Sequence, residues 1–208
     1  MIVVVDYGAG NTRSVLRALE AVGADARLAA TSEGLGAAER LVVPGVGAAP
    51  SAVEALMDAG LWGPIRAWAA DERPLLGVCL GAQLLLEGSD EGDAPGLSVI
   101  GGRSRAFPAV ADGGPRQVPH IGWNEVRTRG GGTFDAYFVH GYWLDAHPDA
   151  VAGRTTVDGF AFPSLLRSGA VTGTQFHPEK SGPIGHALLK AFVAGSFDAG
   201  REPQLTWS

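Results

Sequence analysis

The segment LLGVCLGAQLLLEG, residues 75–88, joins a short apolar run to a longer leucine-rich run, with Gly77 and Gly81 on either side of Cys79. The short run is typical of a buried strand, and the longer one of a helix. A strand that turns at once into a helix crowds the backbone on both sides of the turn, and glycine is the residue that tolerates this crowding. The segment therefore predicts a strand, a sharp turn at Cys79, and a helix.

The same alternation of strand and helix precedes this unit. Residues 2–6, IVVVD, predict a first buried strand, and residues 11–22 predict a helix with one apolar stripe. The runs ARLAA and RLVVPG predict two more strands, and two helical segments follow RLVVPG. Successive units of this kind place their strands in parallel with helices on both faces, so we expect a doubly wound α/β fold.

The second half of the chain has a different pattern. Glycine clusters at 101–102, 113–114 and 130–132 separate short β-type segments such as YFVHGYW and AVTGTQF. These segments predict β-hairpins added to a mainly parallel sheet, and IGHALLKAFVAG predicts a last helix that packs back on that sheet. The length of 208 residues suits one domain, for which we expect residues 1–200, followed by a tail over residues 201–208.

Charge and hydropathy exclude two classes of partner. The 16 Lys and Arg residues against 22 Asp and Glu residues give a formal net charge of -6, which argues against nucleic acid binding. No stretch is apolar for long enough to span a membrane, and the first residues lack the basic region of a signal peptide. A single cysteine is compatible with a reducing compartment. We therefore expect a cytoplasmic protein that binds neither nucleic acid nor membrane.

The residues that could hold a metal or a cofactor are sparse. The single cysteine excludes multi-cysteine metal sites, and the five histidines lack the spacing of metal ligands. The segment GAGNTR after the first strand resembles a dinucleotide-binding loop, but Arg13 stands where the third glycine is needed. We therefore expect no metal and no cofactor.

Cys79 is the candidate nucleophile. The positive end of a helix dipole favours the thiolate at this position, and the backbone N–H of Leu80 would point into the same space, where it could stabilise an oxyanion. A lone cysteine in an apolar run is also typical of a small buried structural residue. Taken with its two glycines alone, Cys79 fits both interpretations.

The segment GTQFHPEKSG, residues 173–182, supplies candidate partners for this nucleophile. We expect Pro178 to keep the backbone extended, so that His177 and Glu179 share one face. A carboxylate beside an imidazole fixes its tautomer and stabilises the imidazolium, as the base of a nucleophile requires. An isolated pair of this kind is often only a surface contact. Combined with a cysteine at a sharp turn, it favours a Cys79, His177 and Glu179 triad.

The segment VVPGVGA, residues 42–48, predicts a turn at the carboxyl edge of the sheet, where open α/β folds place their sites. Its glycines leave the peptide groups free to rotate, so an amide at Val46 or Gly47 is a second candidate oxyanion donor beside Leu80. A plain tight turn is the alternative.

Several of these motifs together resemble a known family. GVCLGAQ and FHPEKSG are similar to the class I, triad-type glutamine amidotransferases, and DYGAGN, VPGVGA, PHIGWNEV and YFVHGYW are similar to the glutaminase subunits of imidazole glycerol phosphate synthase. The resemblance runs from Asp6 to beyond Gly182. It implies a flavodoxin-like fold and hydrolysis of glutamine to glutamate and ammonia, with the ammonia used in histidine biosynthesis.

The resemblance also implies roles for single residues. Cys79 would be the nucleophile, His177 the general base and then acid, and Glu179 its orienting partner. The residues that would bind glutamine are Gly47, Gln83, Glu91, Gly141 and Tyr142. Ordinary surface roles are the alternative for Gln83 and Glu91.

Three residues depart from the pattern of the family. Ala49 stands where a bulky residue is usual, Ala82 where methionine is usual, and Gly141 where serine or threonine is usual. We expect the two alanines to alter local packing. At Gly141 no side-chain hydroxyl is available, so any contact with substrate there would come from the backbone.

A partner is implied as well. The family resemblance implies a (β/α)8 cyclase subunit that forms a heterodimer with this chain and consumes its ammonia. Aromatic side chains are typical anchors of interfaces, so we expect Trp123, Asn124, Tyr137 and Lys180 at or near the contact. Packing within a hairpin is the alternative for the aromatic residues.

Three other functions remain open from the sequence. The first is a glutaminase that serves another synthase, such as anthranilate synthase. The second is a cysteine-dependent hydrolase or isomerase with a similar strand-to-helix cysteine. The third is a non-catalytic binding module with a flavodoxin-like fold.

Overall fold

A computed structural model describes residues 1–8, 10–111 and 114–196. In chain order the elements are β1 (Ile2–Val5), α1 (Thr12–Ala21), β2 (Ala26–Ala29), α2 (Ser32–Leu35), β3 (Arg40–Val43), α3 (Ala49–Asp58), α4 (Trp62–Ala70), β4 (Leu75–Val78), α5 (Leu80–Leu84), β5 (Gly88–Ser89), β6 (Gly102–Ala106), β7 (Val110–Ala111), β8 (Gly114–Pro115), β9 (His120–Thr128), β10 (Thr133–His140), β11 (Tyr142–Ala146), a 3₁₀ turn (Pro148–Ala150), β12 (Val151–Val157), β13 (Phe160–Ser168), β14 (Val171–Thr174), a second 3₁₀ turn (Pro178–Lys180) and α6 (Gly182–Val193).

The main sheet has nine strands within the described ranges, in the order β10-β9-β12-β13-β14-β4-β3-β1-β2. Five neighbouring strands, β2, β1, β3, β4 and β14, are parallel and follow the strand order of flavodoxin-like folds. The strands β13, β12, β9 and β10 extend this sheet in antiparallel pairs. The predicted flavodoxin-like α/β fold with added hairpins is therefore confirmed.

Helices cover both faces of the parallel part. In β1, Val3 and Val5 join the apolar cluster formed with α2, α3, α4 and α5, whereas Ile2 and Val4 join the cluster formed with α1 and α6. The central strands β1 and β4 are buried along their whole length, and β3 is buried beyond its first residue, which explains why these three strands are largely apolar runs. None of the helices in the described part of the chain is both long and apolar enough to cross a membrane.

The second half differs from the expectation in one respect. The segment YFVHGYW does not stay in the main sheet, because the chain turns at Gly141 and β11 pairs with β6 in a separate sheet of order β11-β6-β5. The hairpins β9–β10 and β12–β13 do belong to the main sheet, as expected. The predicted boundary at residue 200 and the tail over 201–208 lie outside the described residues, so that division stays a prediction.

Candidate active site

Cys79 occupies the sharp turn between β4 and α5. Its backbone has φ 52° and ψ -107°, a strained conformation for a residue with a side chain. A Cβ at Gly81 would lie 1.9 Å from the carbonyl oxygen of Val43, and one at Gly77 would lie 2.8 Å from the carbonyl oxygen of Gly81. Both glycines are therefore required by close backbone approach, as the sequence predicted.

His177 and Glu179 form a buried pair beyond the end of β14. Both side chains are 0% exposed, and the Nδ1 atom of His177 lies 2.8 Å from the Oε1 atom of Glu179. Since a carboxylate only accepts, Nδ1 carries the proton and donates it. The expectation of an extended backbone was wrong beyond His177, because residues 178–180 form a 3₁₀ turn that curls the carboxylate back to the imidazole.

The surroundings of His177 favour its charged form. Burial by itself lowers the pKa of His177, but the interactions of the ring with Cys79 and Glu179 outweigh it and raise the pKa from 6.5 to about 9. No atom in the described part of the chain meets hydrogen-bond geometry at Nε2 of His177, although Cys79 is near enough to act on the ring. The ring therefore has one nitrogen committed to Glu179 and the other available on the side of Cys79.

Asn11 completes this cluster, and the sequence reasoning missed it. Its Nδ2 atom donates to the Oε1 atom of Glu179 over 3.1 Å, across 168 positions of the chain. Asn11 belongs to the segment GAGNTR, whose resemblance to a dinucleotide loop was the available signal. The loop places a buried amide against a carboxylate.

A second missed residue is Gln175, two positions before His177. Its Nε2 atom lies 3.8 Å from the Sγ atom of Cys79, and its Oε1 atom lies 3.4 Å from the Nε2 atom of Gln83. Gln175 is buried. Nothing in the local sequence pattern distinguishes it from an ordinary strand-end glutamine.

A cavity of about 270 Å³ opens at Cys79. Its lining residues are Val46, Gly47, Cys79, Leu80, Gln83, Glu91, Val139, His140, Gly141 and Tyr142. The structure therefore brings together in one cavity the residues predicted for the oxyanion and for glutamine. His177 and Glu179 are not among the lining residues.

The turn after β3 packs against the start of α5. A Cβ at Gly45 would lie 2.8 Å from the backbone nitrogen of Gly81, and the hydroxyl of Tyr7 donates to the carbonyl of Pro44 over 2.7 Å. Gly47 has φ +90°, a conformation that side chains disfavour. The hydrogen bond from Tyr7 thus fixes the start of the turn at Pro44, and the following residues Val46 and Gly47 line the cavity.

Gln83 and Glu91 are not ordinary surface residues. Gln83 is buried and donates from Nε2 to the carbonyl of Tyr142 over 3.2 Å. The Oε2 atom of Glu91 accepts from the backbone N–H of Ala49, at the start of α3, over 2.7 Å. Both side chains are thus fixed at the cavity wall.

The four residues predicted for the partner surface do not share one face. Trp123 is 58% exposed and stands edge-on to Tyr137, with ring centroids 6.2 Å apart, and the Nζ atom of Lys180 lies 5.9 Å from the Tyr137 ring centroid. Asn124 points to the other side of β9, where its Nδ2 atom donates to the carbonyl of Thr156 over 3.1 Å. The structure therefore groups Trp123, Tyr137 and Lys180 and separates Asn124 from them.

Comparison with known proteins gives a consistent result. The family described as glutamine amidotransferase class-I matches residues 3–195. The imidazole glycerol phosphate synthase subunit HisH of Streptococcus sanguinis is 44% identical over 200 residues, which cover 92% of this chain and 95% of that protein. The protein of the same name from Natronomonas pharaonis is 42% identical over 211 residues, with 92% of this chain and 93% of the relative covered.

Solved structures agree on the fold. A structure described as a glutamine amidotransferase superposes with a TM-score of 0.75 at 23% identity, covering 94% of this chain and all of that one. The structure of PurLQS from Thermotoga maritima gives a TM-score of 0.69 at 16% identity, covering 94% of this chain and 96% of that one. At these identities the likeness supports the architecture, whereas the sequence matches identify the family. The chain belongs to the class-I glutamine amidotransferases and, among them, to the family of the imidazole glycerol phosphate synthase subunit HisH.

Proposed function

We propose that this chain hydrolyses glutamine to glutamate and ammonia as the glutaminase subunit of imidazole glycerol phosphate synthase, with Cys79, His177 and Glu179 as its catalytic triad. The observation that carries the proposal is the position of Cys79, on a strained turn in the wall of the cavity and beside an imidazole paired with a buried carboxylate. Membership in the HisH family supports the choice of glutamine as substrate.

The proposed reaction begins at the Cys79 sulfur. The thiolate attacks the side-chain amide carbon of glutamine, a C–S bond forms, and the carbonyl oxygen becomes an oxyanion. His177 then gives a proton to the amide nitrogen, the C–N bond breaks, and ammonia leaves. Water, deprotonated by the same imidazole, attacks the γ-glutamyl thioester and releases glutamate and the Cys79 thiol.

Two backbone amides are our candidates for the oxyanion site. The N–H of Leu80 is at the first position of α5, where no intrahelical acceptor exists. An amide at Val46 or Gly47 is the second candidate, because the turn borders the same cavity. Losing one such donor typically costs about 10²-fold in kcat.

For the amino-acid end of glutamine we propose Glu91, Gln83 and the backbone at Gly141 and Tyr142, together with Gly47. A carboxylate at Glu91 suits the α-ammonium group. Burial, and then the charges of Glu91 and Asp90, raise the pKa of Tyr142, which indicates a negative potential at this end of the cavity. A negative potential favours an ammonium group there.

The second product needs a covered route, because ammonia released into water would be protonated and lost. We propose that a (β/α)8 cyclase subunit forms a heterodimer with this chain and receives the ammonia. The group of Trp123, Tyr137 and Lys180, in which Trp123 is the exposed aromatic residue, is our candidate contact, and Asn124 lies on the other side of β9. A single cysteine in the free form fits a cytoplasmic enzyme.

The test uses the assembled enzyme of this chain and the cyclase subunit, with either glutamine or ammonium as nitrogen donor. We expect Cys79→Ala to abolish the glutamine-dependent cyclase reaction and to leave the ammonia-dependent reaction intact. A glutamine-dependent rate that survives Cys79→Ala would contradict the proposed nucleophile. Native chain that supplies no ammonia to this cyclase would contradict the proposed partner.

Lys180→Ala tests the contact separately. We expect weaker assembly, or less ammonia transferred per glutamine hydrolysed, with an unchanged melting temperature. Unchanged assembly and unchanged transfer would remove Lys180 from the interface.

A further inference from the structure

Two buried histidines, His120 and His140, have no part in the proposed reaction. They lie at the paired ends of β9 and β10, and the Nδ1 atom of His120 is 3.1 Å from the Nε2 atom of His140. The rings of Phe138 and Phe162 pack against both, with centroid distances to the two imidazoles of 5.1 to 5.9 Å. The pair is thus held in an apolar pocket at the edge of the candidate active site, where His140 lines the cavity.

The directions of the hydrogen bonds in this pair follow from one fixed acceptor and from the neutral state of the buried His140 ring. The Nδ1 atom of His140 lies 2.7 Å from the carbonyl oxygen of Tyr142, which can only accept, so Nδ1 carries the proton. Burial lowers the pKa of His140 to about 3, which leaves the ring neutral and makes Nε2 an acceptor. The Nδ1 atom of His120 must therefore be the donor to it.

The outer end of the chain of hydrogen bonds is fixed independently. The Oδ1 atom of Asn124 accepts from the backbone N–H of Glu125 over 2.8 Å, and its Nδ2 atom donates to the carbonyl of Thr156. This orientation presents Nδ2 to the Nε2 atom of His120, 3.4 Å away. Burial also lowers the pKa of His120. Two smaller effects act beside it: the charge of Asp158 raises this pKa, and the charge of Arg116 lowers it. Both imidazoles are thus assigned as neutral Nδ1–H tautomers.

The inner end of the chain reaches the glutamine site. The carbonyl of Tyr142 accepts from His140 and also from the Nε2 atom of Gln83, which in turn lies 3.4 Å from the Oε1 atom of Gln175. The Nε2 atom of Gln175 faces the sulfur of Cys79. At Gly141 the backbone passes from β10 of the main sheet to β11 of the three-stranded sheet. The hydrogen bond from His140 to the Tyr142 carbonyl spans this turn.

We propose that His120 and His140 are positioning residues for the glutamine site: as neutral Nδ1–H tautomers they fix the Tyr142 carbonyl and, through it, Gln83. The proposal rests on the proposed function. The alternative is a pair of core histidines whose removal changes stability alone.

Nitrogen-15 NMR of the native chain tests the assignment without any activity measurement. Signals of His120 and His140 are identified by their loss in single His→Asn variants. We expect both rings to show the Nδ1–H tautomer pattern at neutral pH. An Nε2–H pattern or a charged ring at either position would overturn the proposal.

Steady-state kinetics of the assembled enzyme test the role. His140→Gln removes the donor at the Nδ1 position, whereas His140→Asn keeps an N–H there. We expect His140→Gln to raise the KM for glutamine about five- to tenfold, the effect of one neutral hydrogen bond, with kcat changed by less than about threefold, and His140→Asn to restore most of the KM. His186→Gln, at an exposed histidine on α6, is the matched control and should leave both constants unchanged.

The outcomes separate the two proposals. A KM for glutamine that is the same in His140→Gln and in the native enzyme would overturn the positioning role while leaving the triad in place. Should His140→Gln fail to fold, an Nε2–H tautomer or a charged ring at either histidine of the native chain would still overturn the proposal. If the native assembled enzyme did not hydrolyse glutamine at all, the proposed function would be overturned, and the positioning of the glutamine site by His120 and His140 would fall with it.

Discussion

Removal of the Asn11 side chain is the sharpest test of the proposed triad. Its Nδ2 atom donates to the same oxygen of Glu179 that accepts from His177, and the other oxygen, Oε2, has no hydrogen-bond partner within the described residues. Asn11→Ala leaves a fully buried carboxylate with the imidazole as its remaining partner. A hydrogen bond to a charged group contributes about 1.5 to 3 kcal/mol. If this whole amount stabilises the oriented carboxylate in the transition state, kcat falls about 10- to 150-fold.

The assay is glutamate release by the assembled enzyme at saturating glutamine, with the ammonia-dependent cyclase rate as a check that the partner subunit is intact. Asn11→Asp is a nearly isosteric second variant that sets a carboxylate against Glu179, so we expect its loss to be at least as large. Asn11 makes no side-chain capping bond to α1, so neither variant removes a helix cap. Arg17→Ala, on an exposed position of the same helix, is the matched control and should keep the native kcat.

Two results would refute this reasoning. One is a kcat of Asn11→Ala within about threefold of the native value. Such a loss is smaller than the roughly tenfold loss expected for the weakest hydrogen bond to a charged group. The other is an Asn11→Asp variant as active as the native enzyme, because that substitution keeps the shape of the side chain and removes the donor.

Three further predictions concern stability. Gly81→Ala would set a Cβ 1.9 Å from the carbonyl oxygen of Val43, and we expect it to cost about 3 kcal/mol or more in urea unfolding; a loss below about 1 kcal/mol would contradict the required close approach. Gly141→Ser restores the residue type usual in the family at a site where the nearest atom to the new Cβ is 3.7 Å away, and we expect the free energy of unfolding to change by less than about 0.5 kcal/mol in the same assay. The raised pKa of His177 lies above its unfolded value of 6.5, so its charged form stabilises the fold fully below pH 6.5, and this contribution is lost as pH rises through about 9. The difference in free energy of unfolding between the native chain and Glu179→Gln should therefore shrink over that pH range, and a constant difference would contradict the coupling.

Local patterns were sufficient for the features that are themselves local. The apolar runs predicted β1, β3 and β4, because strands buried on both faces leave no room for polar residues. The glycines around Cys79 predicted the sharp turn, because backbone crowding there is a property of the turn itself. The departure of β11 into a second sheet was not predictable in this way, since it depends on pairing with β6 about 40 positions earlier in the chain.

The pair of His177 and Glu179 was predicted for a reason that proved incomplete. An extended segment would place alternate side chains on one face, but here the contact is made by a 3₁₀ turn over residues 178–180. The predicted contact between His177 and Glu179 was still correct, because side chains two residues apart can come within hydrogen-bond distance both in an extended segment and in a 3₁₀ turn. A sequence can thus indicate that two groups meet without indicating the backbone that joins them.

The partners of this pair come from other strands, and their convergence follows from topology. The chain leaves β1 towards Asn11, β3 towards the turn at 44–47, β4 at Cys79 and β14 towards His177. These four strands are parallel and adjacent in the order β14-β4-β3-β1, so their carboxyl ends meet at one edge. Asn11 was missed because its loop was compared only with a dinucleotide-binding loop. The strand order places this loop beside the carboxyl ends of β3, β4 and β14. In a doubly wound sheet, every polar residue that follows a central strand is therefore a candidate for the same site, whatever short pattern it belongs to.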